Sequence, residues 1–423
     1  MNIAYNKKTL FVTKTEQILY GLFQKRIRIM DIGKYIEEIK SIQTNILDYI
    51  DKEDNSESDY KSITKLLLIY KNPSKKQELK YIFYLLRTIS NDHHHSPNFS
   101  FKIEQILLFF QEEIKQTFSN FEIFDFFKDS KRILLFLLEN KIVTLDKSIA
   151  EIIYSKPFKK FNYRTYFSPE LEKWKSESPD NEIAEEKHIH YWKQQKFKHQ
   201  KKREVEEEAE KIELDSKIEE LRRNGENESA IGQLIRNDSI KEFIIYTTRN
   251  NYKLTNKIKK SYYETNSLLN EEEEVTLIEY AAFFGSIQIF HYLRLNGVEL
   301  TPSLWNYAVH SNNAEMIHVL EEFGISPIDK SFQKCLKESI KCHHNDIFNY
   351  IINNHIDTVD NDAIINNCLY FRNFACFPDD FYKHKSAFFY SCKYDYLELV
   401  KLFLIEDGSL LNEKYIFHTI YNF

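Results

Sequence analysis

Residues Thr276–Gly297 read TLIEYAAFFGSIQIFHYLRLNG. The chain has 423 residues and only 8 glycines, yet two of them, Gly285 and Gly297, fall inside this one segment. Apolar-rich runs lie on either side of Gly285. Glycine between two such runs supplies a left-handed turn at no steric cost. Glycine just past the second run is a helix C-terminal cap. The segment therefore predicts a helix–turn–helix unit. Ala281 is the small residue that lets a neighbouring helix approach.

The unit repeats. Ala281, Gly285, Ile289, Phe290, Leu293 and Gly297 recur 27 residues later as Ala308, Asn312, Met316, Ile317, Leu320 and Gly324. They recur again as Ser339, His343, Ile347, Phe348, Ile351 and His355, and once more as Ser391, Asp395, Leu399, Val400, Phe403 and Asp407, with Gly408 one place late. Small residues hold the first column and Gly, Asn, His or Asp the turn. An apolar pair follows, and a turn residue closes the unit. A weaker copy lies in LIRNDSIKEFIIYTTRNNYKL (234–254). One such unit cannot bury its own apolar face, so it must stack on the next. The segment VDNDAIINNCLYFRNFACFPDD, between the third and fourth copies, is either an insertion or a degenerate repeat.

VTLIEYAAFFGSIQIFHYLRLNGVELT resembles an ankyrin repeat, with Thr276, Ala281, Ala282, Gly285 and Gly297 at matching places; KSAFFYSCKYDYLELVKLFLIEDGSLLN (385–412) matches in its second helix. Thr301-Pro302 keeps the family's Thr-Pro one residue out of step. The spacings of 27, 31 and 52 residues depart from the ankyrin period of about 33, so the stack is expected to be irregular. The blocks GENESAIGQLIRNDSIKEFI (225–244), LIEYAAFFGS and CLKESIKCHHNDIFNYII are similar to an uncharacterised ankyrin-associated domain family expanded in trichomonad-type protists. That resemblance implies an architecture and no activity.

Outside the repeats, the first part reads as successive amphipathic helices: Ile18–Ile27, Ile32–Ile50, Tyr60–Tyr70, Glu78–Ile89 and Phe101–Phe118. The run from Asn181 to Arg223 is made of strong helix formers with opposite charges three or four apart. Its seams Val205, Ala209, Ile212 and Leu214, Ile218, Leu221 are out of register, which favours a solvated linker helix over a coiled coil. Gly225 would stop it. The expected organisation is all-α: a helical amino-terminal region (1–175), a charged linker helix (176–228) and a divergent ankyrin-like solenoid (229–423). NEKYIFHTIYNF (412–423) begins another first helix, either as a cap or as a shortened end.

Composition narrows the function. Lysine plus arginine total 58 against 64 acidic residues, a net charge of -6, which gives no support to a nucleic-acid binder. No apolar run is long enough to span a bilayer, and no signal peptide is evident at the start. The expected location is cytoplasmic, with the nucleus open. Five cysteines, odd in number and without close pairs, argue against a disulfide framework. GxGxxG, GxxxxGK[ST] and GxSxG are absent from the sequence.

Candidate chemistry is sparse. His93, His94 and His95 are adjacent, so they diverge, and they read as a polar loop. Cys335 and Cys342 lie two helical turns apart, about 10 Å by rise, too far for one zinc, and His343 falls in the turn column. Neither a metal nor a cofactor is expected, and no spacing argues for a nucleophile–base pair. The expected role is non-catalytic protein–protein recognition on a concave repeat face, by partners the sequence does not name. The alternative is an enzyme or effector activity in the amino-terminal half, with the repeats as targeting module. In an ankyrin registration the candidate partner-binding residues are Glu279, Asn306, Lys337 and Phe389, two before the small column. The positions before the turn add Phe283-Phe284, His310-Ser311 and Lys393-Tyr394, with Lys341-Cys342 in the same place. Phe283 and Phe284 face either a partner or the core.

Overall fold

A computed structural model describes residues 32–93, 98–155, 163–177, 218–271, 274–327, 331–406 and 410. Most of the linker helix, His94 and His95, Ile18–Ile27, Gly408 and the segment 412–423 lie outside them. The described chain is predominantly α-helical. Its only ribbon pairs β1 (Lys257–Ile258) antiparallel with β2 (Val275–Thr276). No helix among the described residues is long and apolar enough to cross a membrane.

Residues Ile42–Pro378 form one compact unit. Its amino-terminal helices are α1 (Ile32–Asp51, entering from the other unit), α2 (Glu57–Leu67), α3 (Lys76–Asp92), α4 (Phe99–Phe109), α5 (Gln111–Thr117), α6 (Asn120–Phe127), α7 (Lys131–Glu139), α8 (Lys147–Tyr154), α9 (Tyr163–Tyr166) and α10 (Ser168–Glu177). Helix α3 is central and buried on most of its surface. Phe83 on it meets Phe110, Phe118, Phe126 and Phe127 at centroid distances of 5.6–6.3 Å. The single helix expected over Phe101–Phe118 is two, because the chain turns at the fully buried Phe110. A Ser119–Glu122 capping box opens α6 and satisfies its first amides.

The second half of this unit is built of helix pairs. They are α11 (Ala230–Arg236) with α12 (Ile240–Arg249), α14 (Leu277–Phe284) with α15 (Ile287–Leu295), α16 (Leu304–His310) with α17 (Ala314–Glu322), and α18 (Gln333–Lys341) with α19 (Asn345–His355); α13 is Ser267–Glu271. Helix α20 (Asn361–Tyr370) is followed by a 3-10 turn, Phe374–Cys376. Helices α11, α14, α16, α18 and α20 each pack on the next in that order. The segment between the third and fourth copies is thus a helix–turn unit whose second helix has shrunk to one 3-10 turn.

The turn column behaves as one conformation. Asp238, Gly285, Asn312, His343, Arg372 and Asp395 all have positive φ, between 45° and 66°. In five of these six turns the next amide bonds back to a carbonyl five residues earlier: Ser239 to Leu234, Ser286 to Ala281, His344 to Ser339, Asn373 to Cys368 and Tyr396 to Ser391, at 2.9–3.0 Å. This is the Schellman closure, which satisfies carbonyls the helix end leaves free. In the sixth, the Asn313 amide donates to Ser311 Oγ instead. The small column, Ala281, Ala308, Ser339 and Ser391, is fully buried. Gly297 and Gly324 end their helices at φ 82° and 64°, as their spacing predicts.

A second column, silent in the sequence, links one turn to the next. In four of the six turns the side chain just after the turn reaches the backbone of the preceding unit. Ser286 Oγ donates to Ile235 O, Asn313 Nδ2 to Gly285 O at 3.3 Å, and Asn373 Nδ2 to Ile340 O at 2.9 Å. His344 Nδ1 lies 3.0 Å from Val309 O. These bonds pair carbonyls that stacking would otherwise bury unsatisfied.

The remaining described residues, 32–41, 379–406 and 410, belong to a second unit. There α21 (Lys385–Lys393) and α22 (Leu397–Glu406) pair across the left-handed Asp395. Phe381 and Phe388 meet Phe403 edge-on.

Candidate functional site

The ten candidate partner-binding residues divide by burial. Glu279 is half-buried and closes a capping box with Thr276, and its other oxygen accepts from Ser303 at 2.6 Å. Asn306 is half-buried and accepts from Cys335 Sγ at 3.4 Å. Lys337 is exposed, with Nζ 5.9 Å from the Phe371 ring. Each of these three reaches toward the following unit. Ser311 is half-buried and its hydroxyl donates to Ala308 O. In the other unit Phe389 and Tyr394 are half-buried and Lys393 is exposed beside the Tyr390 and Tyr394 rings.

Two candidates are not at the surface. Phe283 is 5% exposed and His310 1%. Their rings stack 4.0 Å apart with an interplanar angle of 13°. What covers Phe283 is thus the imidazole of the next unit, and neither residue can be part of a docking face. Phe284 is half-buried, 4.8 Å from the Tyr280 ring. His93 likewise corrects the polar-loop expectation. It is 2% exposed, with Nε2 2.8 Å from Asp51 Oδ1 and Nδ1 beside Cys342 O.

Beneath Phe283 the residues before the Asn312 and His343 turns converge with the end of α3 into a buried polar cluster. His310 Nδ1 lies 3.1 Å from Glu338 Oε1 and 3.1 Å from Cys342 Sγ, and Cys342 Sγ lies 3.4 Å from the same Glu338 oxygen. Lys341 Nζ bridges Glu338 Oε2 at 3.2 Å and Asp92 Oδ1 at 3.5 Å. Ser267 donates to Asp92, and Asn266 Nδ2 lies 3.3 Å from His310 Nε2. Burial holds the His310 imidazole below its usual range despite Glu338. Burial also acts to raise the Glu338 carboxyl, but the Lys341 ammonium and the bond to His310 prevail and bring it to about 2. Cys342 is pushed well above the ordinary thiol range, by burial first and Glu338 second. Fully buried and protonated, this thiol is no nucleophile despite its imidazole neighbour.

The helical spacing of Glu338, Lys341 and Cys342 put them on one face and was visible in the sequence. Nothing in the sequence pointed to Asp92, Asn266 or Ser267, which come from the end of α3 and the start of α13. Nearby, His343 is 5% exposed and neither ring nitrogen has a hydrogen-bond partner. Burial and the adjacent His93 lower it to about 3.

The amino-terminal helices meet the repeat pairs through further buried polar bonds. Gln43 donates to Asn373 Oδ1 and accepts from the Phe374 amide, both at 2.8 Å. Tyr81 donates to Arg372 O at 3.1 Å. Lys131 reaches the Tyr262 and Glu264 carbonyls. The inner ends of the repeat pairs are therefore occupied by the chain itself. Comparison with known protein families, with curated proteins and with solved structures finds no match.

Proposed function

We propose that the chain is a non-catalytic protein-recognition scaffold whose helix pairs form an irregular ankyrin-like solenoid. The observation that carries this reading is the repeated left-handed turn with its cross-unit side-chain bond, which gives successive pairs one frame while other positions vary. In such a frame recognition resides in exposed, non-repeating side chains. With Phe283 and His310 internal, the candidate row keeps Glu279, Phe284, Asn306, Ser311 and Lys337; in the second unit Phe389, Lys393 and Tyr394 stand at the like positions of the α21–α22 pair. Glu279, Asn306 and Lys337 differ in charge from unit to unit, which suits a partner read by local charge more than by apolar burial.

The test uses the full chain as bait in a cross-linking pull-down beside the variant Asn306→Arg/Lys337→Glu. Under this reading the wild type captures a defined partner that the variant loses, with an unchanged melting temperature. A partner set identical between the two proteins would remove the row from recognition.

A further inference from the structure

We propose that His310, Glu338 and Cys342 form a binding site for a divalent transition-metal ion of the zinc class. The three donor atoms are imidazole nitrogen, carboxylate oxygen and sulfur, all within 4.8 Å of one another and all on buried residues. Their mutual distances of 3.1, 3.1 and 3.4 Å approach the roughly 3.3–3.6 Å edges of a tetrahedral zinc site with bonds of about 2.0–2.3 Å. The side chains need only move apart by a few tenths of an ångström. An N, O, S donor set selects borderline ions over calcium or magnesium, which take oxygen alone. Three protein donors leave a fourth position for water.

The surroundings are those of a held site. His310 and Glu338 come from the first helices of adjacent units, α16 and α18, so an ion would tie one unit to the next. Glu338 lies on α18 and Cys342 is its C-cap, one helical turn later, so the end of the helix sets their separation. Lys341 Nζ bonds both Glu338 oxygens, Oε2 at 3.2 Å and the donor Oε1 at 3.4 Å, so an ion would take Oε1 while the ammonium keeps Oε2 as outer-shell support. Glu338 and Asp92 both face the Lys341 ammonium, at 3.2 and 3.5 Å. On binding, the Cys342 S–H bond breaks and a sulfur–metal bond forms, with the proton leaving to solvent. The His310 ring proton then sits on Nε2, on the Asn266 side of the ring.

The test is made on full-length protein produced in cobalt-supplemented medium, so that the ion is present while the chain folds and burial cannot exclude it. One cobalt per chain is expected, with a near-ultraviolet thiolate-to-cobalt band and intense visible bands of tetrahedral geometry. Zinc should displace it, and the loaded protein should melt higher than chelator-treated protein. Cys342→Ser should lose the near-ultraviolet band, and His310→Gln should weaken binding on the order of 100-fold or more. Wild-type protein without cobalt, or a band unchanged in Cys342→Ser, would overturn the site. The wild-type spectrum decides the matter even where a variant fails to fold.

Discussion

At the residue scale, the space around the Cβ position separates two kinds of positive-φ glycine. Gly225 has φ 66°, and a Cβ there would lie 2.5 Å from Arg132 Cδ and 2.7 Å from Thr265 Oγ1. Gly297 has φ 82° with nothing within 4 Å of the same position. Gly297→Ala should cost about 1–2 kcal/mol for the left-handed backbone alone. Gly225→Ala should cost more, about 3 kcal/mol or above, because the buried Arg132 must also shift. Chemical denaturation of the two variants gives the comparison, and equal losses would remove the steric argument. Phe283→Ala should cost about 3–5 kcal/mol, as expected of a buried aromatic. A melting temperature near that of the wild type would return Phe283 to the surface.

Glu264 offers a pH-dependent contribution that can be isolated. It is 5% exposed and its Oε2 has no hydrogen-bond partner. Burial raises its carboxyl from 4.5 to about 7, against the opposing Asn266 amide. The folded chain holds this proton more tightly than the unfolded chain. Its stabilising contribution is therefore full below pH 4.5 and is lost as pH rises toward 7. The ceiling is about 3 kcal/mol. Lys131, lowered by burial to about 8, changes stability only at higher pH, so it does not obscure this window. His343 and His310, both lowered by burial, gain stability over the same window in both proteins, so the melting temperature of the wild type should fall between pH 4.5 and 7 relative to that of Glu264→Gln. Parallel profiles would exclude Glu264 as the source.

At the element scale, the stack depends on the side chains that follow the Gly285, Asn312, His343 and Arg372 turns. Asn373 is the most heavily engaged, donating to Ile340 O and Asn345 Oδ1 and accepting from Gln43. Asn373→Ala strands buried polar groups on three elements and should cost about 3 kcal/mol or more. The double-mutant cycle of Asn373→Ala with Gln43→Ala should be non-additive, since they share a bond. Additive losses would show that the pair is not coupled. Asn312 lacks the Schellman closure its neighbours share, although its φ is the same. Its turn is instead closed by the Ser311 hydroxyl accepting from Asn313.

At the scale of the whole molecule, the amino-terminal helices and the repeat pairs within Ile42–Pro378 share buried polar bonds and not merely a linker. Breaking them separately would leave unpaired groups on both faces. This unit should therefore unfold in one cooperative transition. Phe83→Ala, in the amino-terminal core, and Phe283→Ala, in the repeats, should lower the same calorimetric peak. Two peaks shifting independently would show that the halves fold apart.

The helix pairs, their left-handed turns and their capping glycines were legible in the sequence, because each rests on local chemistry. A small residue, a turn-former and an apolar pair at fixed offsets force a helix–turn–helix unit wherever they occur. The degenerate copy around Arg372 was half-legible, since arginine is a poor signal for positive φ and only its surroundings impose it. The fate of Phe283 was not legible. Whether an aromatic at the end of a helix faces a partner or the core depends on what the next unit places over it, and His310 does so at stacking distance. The cluster of Asp92, His310, Glu338, Lys341 and Cys342 was equally hidden. Its members come from segments up to 250 residues apart, and only the packing of α3 on the repeat pairs brings them together. Local backbone preference determined the units, and burial between distant segments decided which of their side chains remain available.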